Sequence, residues 1–120
     1  MESKNLSIYC ITDKQINYLE NLKLKIVVGG SFFKKENFPK NWFLDRTKIN
    51  ISKKNNNYGS LTSIYWIWKN ELNNYTNNTW IGISHYRRFW LKENHDKTIT
   101  LTNLSKNLLY NIPDKNLNYD

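Results

Sequence analysis

His85-Tyr86-Arg87-Arg88 stands one residue, Ser84, beyond the apolar run Trp80-Ile81-Gly82-Ile83. Four consecutive side chains offer an imidazole, a phenol and two guanidinium groups. Guanidinium groups bind phosphate oxygens through paired hydrogen bonds and keep their charge. Arg87 and Arg88 are therefore candidate binders of a phosphorylated ligand. His85 is a candidate acid, base or hydroxyl-orienting group. Neighbours on a strand point to opposite faces, so both arginines reach one ligand only where the strand ends or twists. The string alone fits another picture equally well, with one arginine paired to a buried carboxylate and the other in water.

Other chemistry is thinly marked. His85, His95 and Asp96 lack the tight spacing of a metal site, and no Asp-x-Asp occurs. No cofactor is called for, and a divalent metal finds no support. Asp13 and Asp45 read as isolated carboxylates in loops. Gly29-Gly30 lacks the rest of a dinucleotide fingerprint and reads as a turn.

These residues need a scaffold. Residues 6–12 read as a first strand and 25–28 as a second, with a short helix over 15–22 between them. The order strand, helix, strand points to an α/β fold. Residues 31–59 scatter Phe32, Phe33, Phe38, Trp42 and Phe43 among lysines and asparagines and read as a long, partly ordered loop. The clearest helix spans 60–72, with Leu61, Ile64, Tyr65, Trp68 and Leu72 as its core face. Residues 80–84 read as a third, central strand, which puts His85 to Arg88 at a carboxyl end, where open α/β sheets bind ligands. A last helix is expected over 101–109.

The chain has 120 residues, enough for one small domain, and 15% of them are aromatic, which argues for a packed core rather than disorder. A net charge of +8 favours anionic partners. The lysines are scattered, and no nucleic-acid-binding motif is present, so no nucleic-acid partner is expected. The single cysteine, Cys10, has no partner for an internal disulfide. With no signal-peptide core and no apolar run long enough to span a bilayer, a cytoplasmic location is expected, with peripheral contact at the inner membrane face allowed.

Two segments carry a family resemblance. They contain Asn50-Ile51-Ser52, Lys54-Asn55, Tyr58, Leu61-Thr62 and Tyr65-Trp66-Ile67-Trp68-Lys69-Asn70, then Ile81-Gly82 and His85-Tyr86-Arg87-Arg88-Phe89. In order and spacing they resemble a bacterial family of capsular and exopolysaccharide biosynthesis, long catalogued as a domain of unknown function, whose members look like glycosyltransferases. The resemblance implies a GT-A-like, Rossmann-type mixed sheet with flanking helices. It implies a nucleotide-sugar donor and a glycan or lipid-linked acceptor. Arg87 and Arg88 would neutralise the diphosphate and His85 would serve catalysis, with Tyr86, Lys54, Asn55 and Lys69 lining the same cleft. Members are about twice as long, so residues 1–120 are expected to form a single domain that is the N-terminal part of such a transferase, with a partner chain able to supply the rest. Ser60 replaces a usual acid, Lys48-Ile49 replaces Gly-Asp, and a histidine near Asp13 is missing, so activity of this chain alone is not implied. Two rival readings are a non-catalytic fragment that associates with a partner chain and a small basic nucleic-acid-binding module.

Overall fold

A computed structural model of the protein describes residues 5–92 and 99–110. Four strands, β1 (Asn5–Thr12), β2 (Lys25–Val28), β3 (Phe43–Leu44) and β4 (Thr79–His85), form one sheet in the order β3-β2-β1-β4. All three ladders are parallel. The sequence marks this arrangement: Ile8 to Ile11 and Ile26 to Val28 are unbroken buried apolar runs, as expected of strands covered on both faces.

The two faces have separate cores. Cys10, Ile26 and Val28 turn to one face, under Leu19 of α1 (Asn17–Glu20) and under Trp42. Tyr9 and Val27 turn to the other, under Trp66 and Ile67 of α3 (Leu61–Asn70). A short α2 (Asn55–Tyr58) leads into α3, and α4 (Leu104–Asn107) lies near the end of the described chain.

Four expectations are corrected. The 80–84 strand is not central: β4 closes one side of the four-strand order, and β1 and β2 hold the middle. Helix α3 forms where its apolar periodicity placed it, but it packs the opposite face inward. Thr62, Ser63, Trp66 and Ile67 are buried, while Leu61, Ile64, Trp68 and Leu72 are exposed. Polar anchors decide this orientation. Trp66 Nε1 donates to Thr47 O at 3.0 Å, and Asn70 Nδ2 donates to Ile49 O at 2.8 Å. The 31–59 stretch is ordered rather than loose, with 3₁₀ turns at Ser31–Phe33 and Ser52–Lys54 flanking β3. The last helix is a single turn, because the chain becomes extended at Leu108 and bridges Leu91.

One buried carboxylate organises the 31–59 stretch. Asp45 is fully buried. It accepts from Gly30 N, Ser31 N and Ser31 Oγ at 2.9 Å each, from Ser52 Oγ at 2.6 Å and from Thr62 Oγ1 at 2.7 Å. Hydrogen-bond donors in this number stabilise a buried anion without a counter-cation. They tie the end of β2, both 3₁₀ turns and α3 to one point.

Candidate functional site

The sheet order dictates where a ligand can sit. From β1 the chain moves outward through β2 to β3, then returns across the sheet to lay β4 on the other side of β1. The reversal leaves a crevice at the carboxyl ends of β1 and β4, the place where open α/β sheets bind ligands. A cleft of about 230 Å³ lies there, lined by Ile11, Thr12 and Asp13 after β1, Gly29 after β2, Asn55, Gly59 and Ser60 at the entry to α3, and His85 and Tyr86 after β4.

Local chemistry shapes each wall. Thr12 Oγ1 donates to Lys14 O at 2.7 Å and accepts from Lys14 N at 3.2 Å, curling the chain so that Asp13 stands at the rim. Gly29 N donates to Thr12 O at 2.8 Å, and Tyr86 N donates to Ile11 O at 3.0 Å, so both ladders run one residue past the named strands. The chain then doubles back at once. His85 N donates to Arg88 O at 3.1 Å and Arg88 N to His85 O at 3.0 Å, which sets Tyr86 and Arg87 at the corner of a tight turn. Tyr18 OH donates to Tyr86 O and holds that corner. Lys14 Nζ and the Arg87 guanidinium each lie 5.1 Å from the centre of the Tyr86 ring, within cation–π range.

The sequence-derived site residues separate under this geometry. His85, Tyr86 and Asn55 meet in the cleft. Asn55 also serves as a brace, with Nδ2 donating to Gly59 O at 2.9 Å and to Thr62 Oγ1 at 3.0 Å. Arg87 lines an adjoining groove with Tyr18, Phe89 and Leu101. Arg87 and Arg88 are both exposed at the turn, and Lys54 is exposed beside Asn55. Lys69 does not share the cleft. It sits in the last turn of α3, roughly 13 Å along the helix from Ser60 at 1.5 Å per residue, with Nζ 4.0 Å from the Trp68 ring. The described buried carboxylates are Asp45 and Glu71. Glu71 takes Tyr9 OH at 3.1 Å and Asn74 Nδ2 at 3.3 Å, and Asp45 takes the five donors already named, so neither is held by Arg87 or Arg88.

Asp13 is the cleft residue that sequence reasoning passed over. Its signal was its place as the first residue beyond β1. Ser63 Oγ, buried against Gly29, has no hydrogen-bond partner among the described residues. No group of three His, Cys, Asp or Glu side chains converges as a metal site among the described residues, and His95 and Asp96 lie outside them. No described helix is long and apolar enough to cross a membrane.

An open parallel sheet, covered on both faces and cleft at its point of reversal, defines a doubly wound α/β fold, the class in which ligands are bound at the carboxyl ends of the strands. Residues 7–118 match the family described as Domain of unknown function (DUF4422), and the chain belongs to that family. No curated protein matches it. Among solved structures it is similar to an apo structure of the WbbM bifunctional glycosyltransferase, with 28% sequence identity and a TM-score of 0.57. That likeness covers 80% of this chain and 16% of the other, so the chain spans about a sixth of the length of its structural relative.

Proposed function

We propose that the chain is the N-terminal part of a GT-A-like glycosyltransferase domain. Its donor is a nucleoside diphosphate sugar, and its acceptor is a capsular or exopolysaccharide chain or a lipid-linked glycan. One observation carries this reading: the cleft at the β1–β4 reversal, where His85 and Asp13 face one space and two exposed guanidinium groups crown the adjoining turn. The likeness to a glycosyltransferase structure supports it.

In this reading the cleft holds the uncharged part of the donor, and the diphosphate lies over the 85–88 turn. Arg87 and Arg88 then offset the charge that grows on the departing diphosphate, the largest stabilisation such a transfer needs. His85 orients a sugar hydroxyl. Asp13 accepts a hydrogen bond from another hydroxyl, and Tyr86 forms the wall between them. Lys54 adds positive charge beside Asn55. Further chain, in the same polypeptide or in a partner, completes the acceptor side. The site works at the cytoplasmic face of the membrane.

Titration calorimetry of the chain against a panel of nucleoside diphosphate sugars tests the reading, with the free nucleotides and the free sugars as controls. Saturable binding of at least one donor, weakened by rising salt and by His85→Ala, is expected. Heats that are the same for every anion would sink it.

A further inference from the structure

Gly30 has φ 63° and turns the chain sharply out of β2 into the 3₁₀ turn Ser31–Phe33. The base of this turn is braced from several sides. Asp45 holds Gly30 N and Ser31 N, Ser52 Oγ accepts from Phe32 N at 3.0 Å, and Arg46 Nη1 donates to Ser31 O and Lys34 O at 3.2 and 3.1 Å. The tip is apolar and faces water. Phe32 is 48% exposed and Phe33 49%, and their rings meet edge to face at 5.2 Å. Two adjacent phenylalanines on a rigid turn form a fixed apolar knuckle, the kind of exposed feature that marks a contact site.

The surroundings of the knuckle are basic. Lys53 Nζ lies 4.9 Å from the centre of the Phe32 ring. Lys35, Arg46 and Lys53 are exposed and Lys34 is half-buried, against one nearby exposed acid, Glu36. The knuckle leaves β2 at the same end of the sheet as the cleft, since Gly29 lines the cleft and Gly30 begins the turn.

Size selects the partner. Two half-exposed aromatic rings offer roughly 200 Å² of contact, far below the ~800 Å² per partner of a stable protein interface. A bilayer needs less: a few aromatic side chains at the acyl boundary and cations among anionic headgroups.

We propose that Phe32 and Phe33 insert into the surface of an anionic lipid bilayer while Lys34, Lys35, Arg46 and Lys53 meet its headgroups. The contact holds the carboxyl end of the sheet, with its cleft, beside the membrane. It stands apart from the transferase reading, because its test involves neither donor nor turnover.

The full chain is sedimented with vesicles of pure phosphatidylcholine and with vesicles containing phosphatidylglycerol, at low and high salt. Binding to the anionic vesicles alone, reduced by salt, is expected. The double variant Phe32→Ser/Phe33→Ser should lose on the order of tenfold in vesicle affinity or more, with an unchanged circular dichroism spectrum because both rings lie at the surface. Lys53→Gln should lose roughly fivefold, and it carries the test if the double variant misfolds. Equal binding to both vesicle types overturns the proposal, as does wild-type binding by the folded double variant or, failing that, by Lys53→Gln. A lipid-free dimer that the double variant dissociates overturns it in favour of a second copy of this chain.

Discussion

Thr62 Oγ1 donates to Asp45 Oδ2 at 2.7 Å inside the protein, across 17 positions of sequence. Because Asp45 also holds Gly30 N just beyond β2, this bond ties the first turn of α3 to the end of β2 and so braces Gly29 and Ser60, which both line the cleft. The same hydroxyl accepts from Asn55 Nδ2 at 3.0 Å. Asp45, Thr62 and Asn55 therefore form a line from the core to the cleft wall.

The first prediction follows from that line. Asp45→Ala leaves buried backbone N–H groups and three hydroxyls without their acceptor. A broken buried charge network typically costs about 3–5 kcal/mol, a large share of the stability of a small domain. Thr62→Val keeps the shape but removes the hydroxyl's bonds to Asp45 and from Asn55, and should cost about 1–3 kcal/mol. Urea denaturation of both variants checks the order. Equal, small losses would show that Asp45 does not organise this region.

The second prediction concerns α3. Trp66 is 1% exposed and Trp68 57% exposed. Trp66→Ala should cost about 3–5 kcal/mol, while Trp68→Ala should stay below about 1 kcal/mol. Thermal melts of the two variants decide between the faces. A larger loss at Trp68 would restore the face that periodicity alone suggested.

The contrast at α3 shows where sequence reading works and where it stops. β1 and β2 were legible because Tyr9-Cys10-Ile11 and Ile26-Val27-Val28 are apolar without interruption, which leaves few alternatives, whereas the two-residue β3 was hidden in the stretch read as a loop. The helix was legible from its spacing, but its inward face was not. That face is chosen by Thr62, Trp66 and Asn70 bonding Asp45, Thr47 and Ile49, and no local pattern records a bond across so many positions. Asp45 looked like a loop carboxylate for the same reason: its donors come from Gly30, Ser31, Ser52 and Thr62. The place of His85 and Tyr86 at the mouth of the cleft was legible because they follow a strand's carboxyl end, where open α/β sheets form such crevices. Asp13 obeys the same rule at β1, yet without the sheet order nothing set β1 beside β4.

The third prediction concerns alkaline pH. Burial pushes the Cys10 thiol up to about 11 from 9.0. Burial, with hydrogen bonds to Tyr75 and Glu71, also raises Tyr9. Burial pushes Tyr75 upward as well, but hydrogen bonds with Lys25, Ser7 and Tyr9 outweigh it and leave Tyr75 lowered. A group whose native pKa is raised keeps its stabilising contribution below the unfolded value and loses it as pH climbs to the native one. For Cys10 the window runs from 9.0 to about 11. About 1.4 kcal/mol per pKa unit gives a loss of roughly 2–3 kcal/mol across it. Cys10→Ala should melt lower than wild type at pH 8 because of its cavity, and the gap should narrow by pH 10.5. A gap of constant width across that range would remove Cys10 from the alkaline transition.

The last prediction addresses the turn and the cleft together. Arg87 sits at the corner of the turn and Arg88 closes it through reciprocal backbone bonds with His85, so either side chain can be replaced without breaking the turn. If the diphosphate of a donor lies over this corner, Arg87→Lys and Arg88→Lys should each weaken binding. An ammonium cannot reproduce the planar fork of a guanidinium. Losing a charge-assisted contact costs roughly 1.5–3 kcal/mol, or about ten- to a hundredfold in affinity. Asp13→Asn should act differently. It removes a carboxylate facing the sugar hydroxyls, so it should weaken the nucleoside diphosphate sugar more than the free nucleoside diphosphate. Lys69→Gln, distant on α3, should leave affinity within about twofold, as expected of a surface change away from the ligand. Calorimetry of the four variants with both ligands, with and without a chelator, separates these contributions. Unchanged affinity in both arginine variants would mean that the diphosphate does not lie at the 85–88 turn. A loss at Lys69 equal to that at Arg87 would place the ligand outside the β1–β4 cleft altogether.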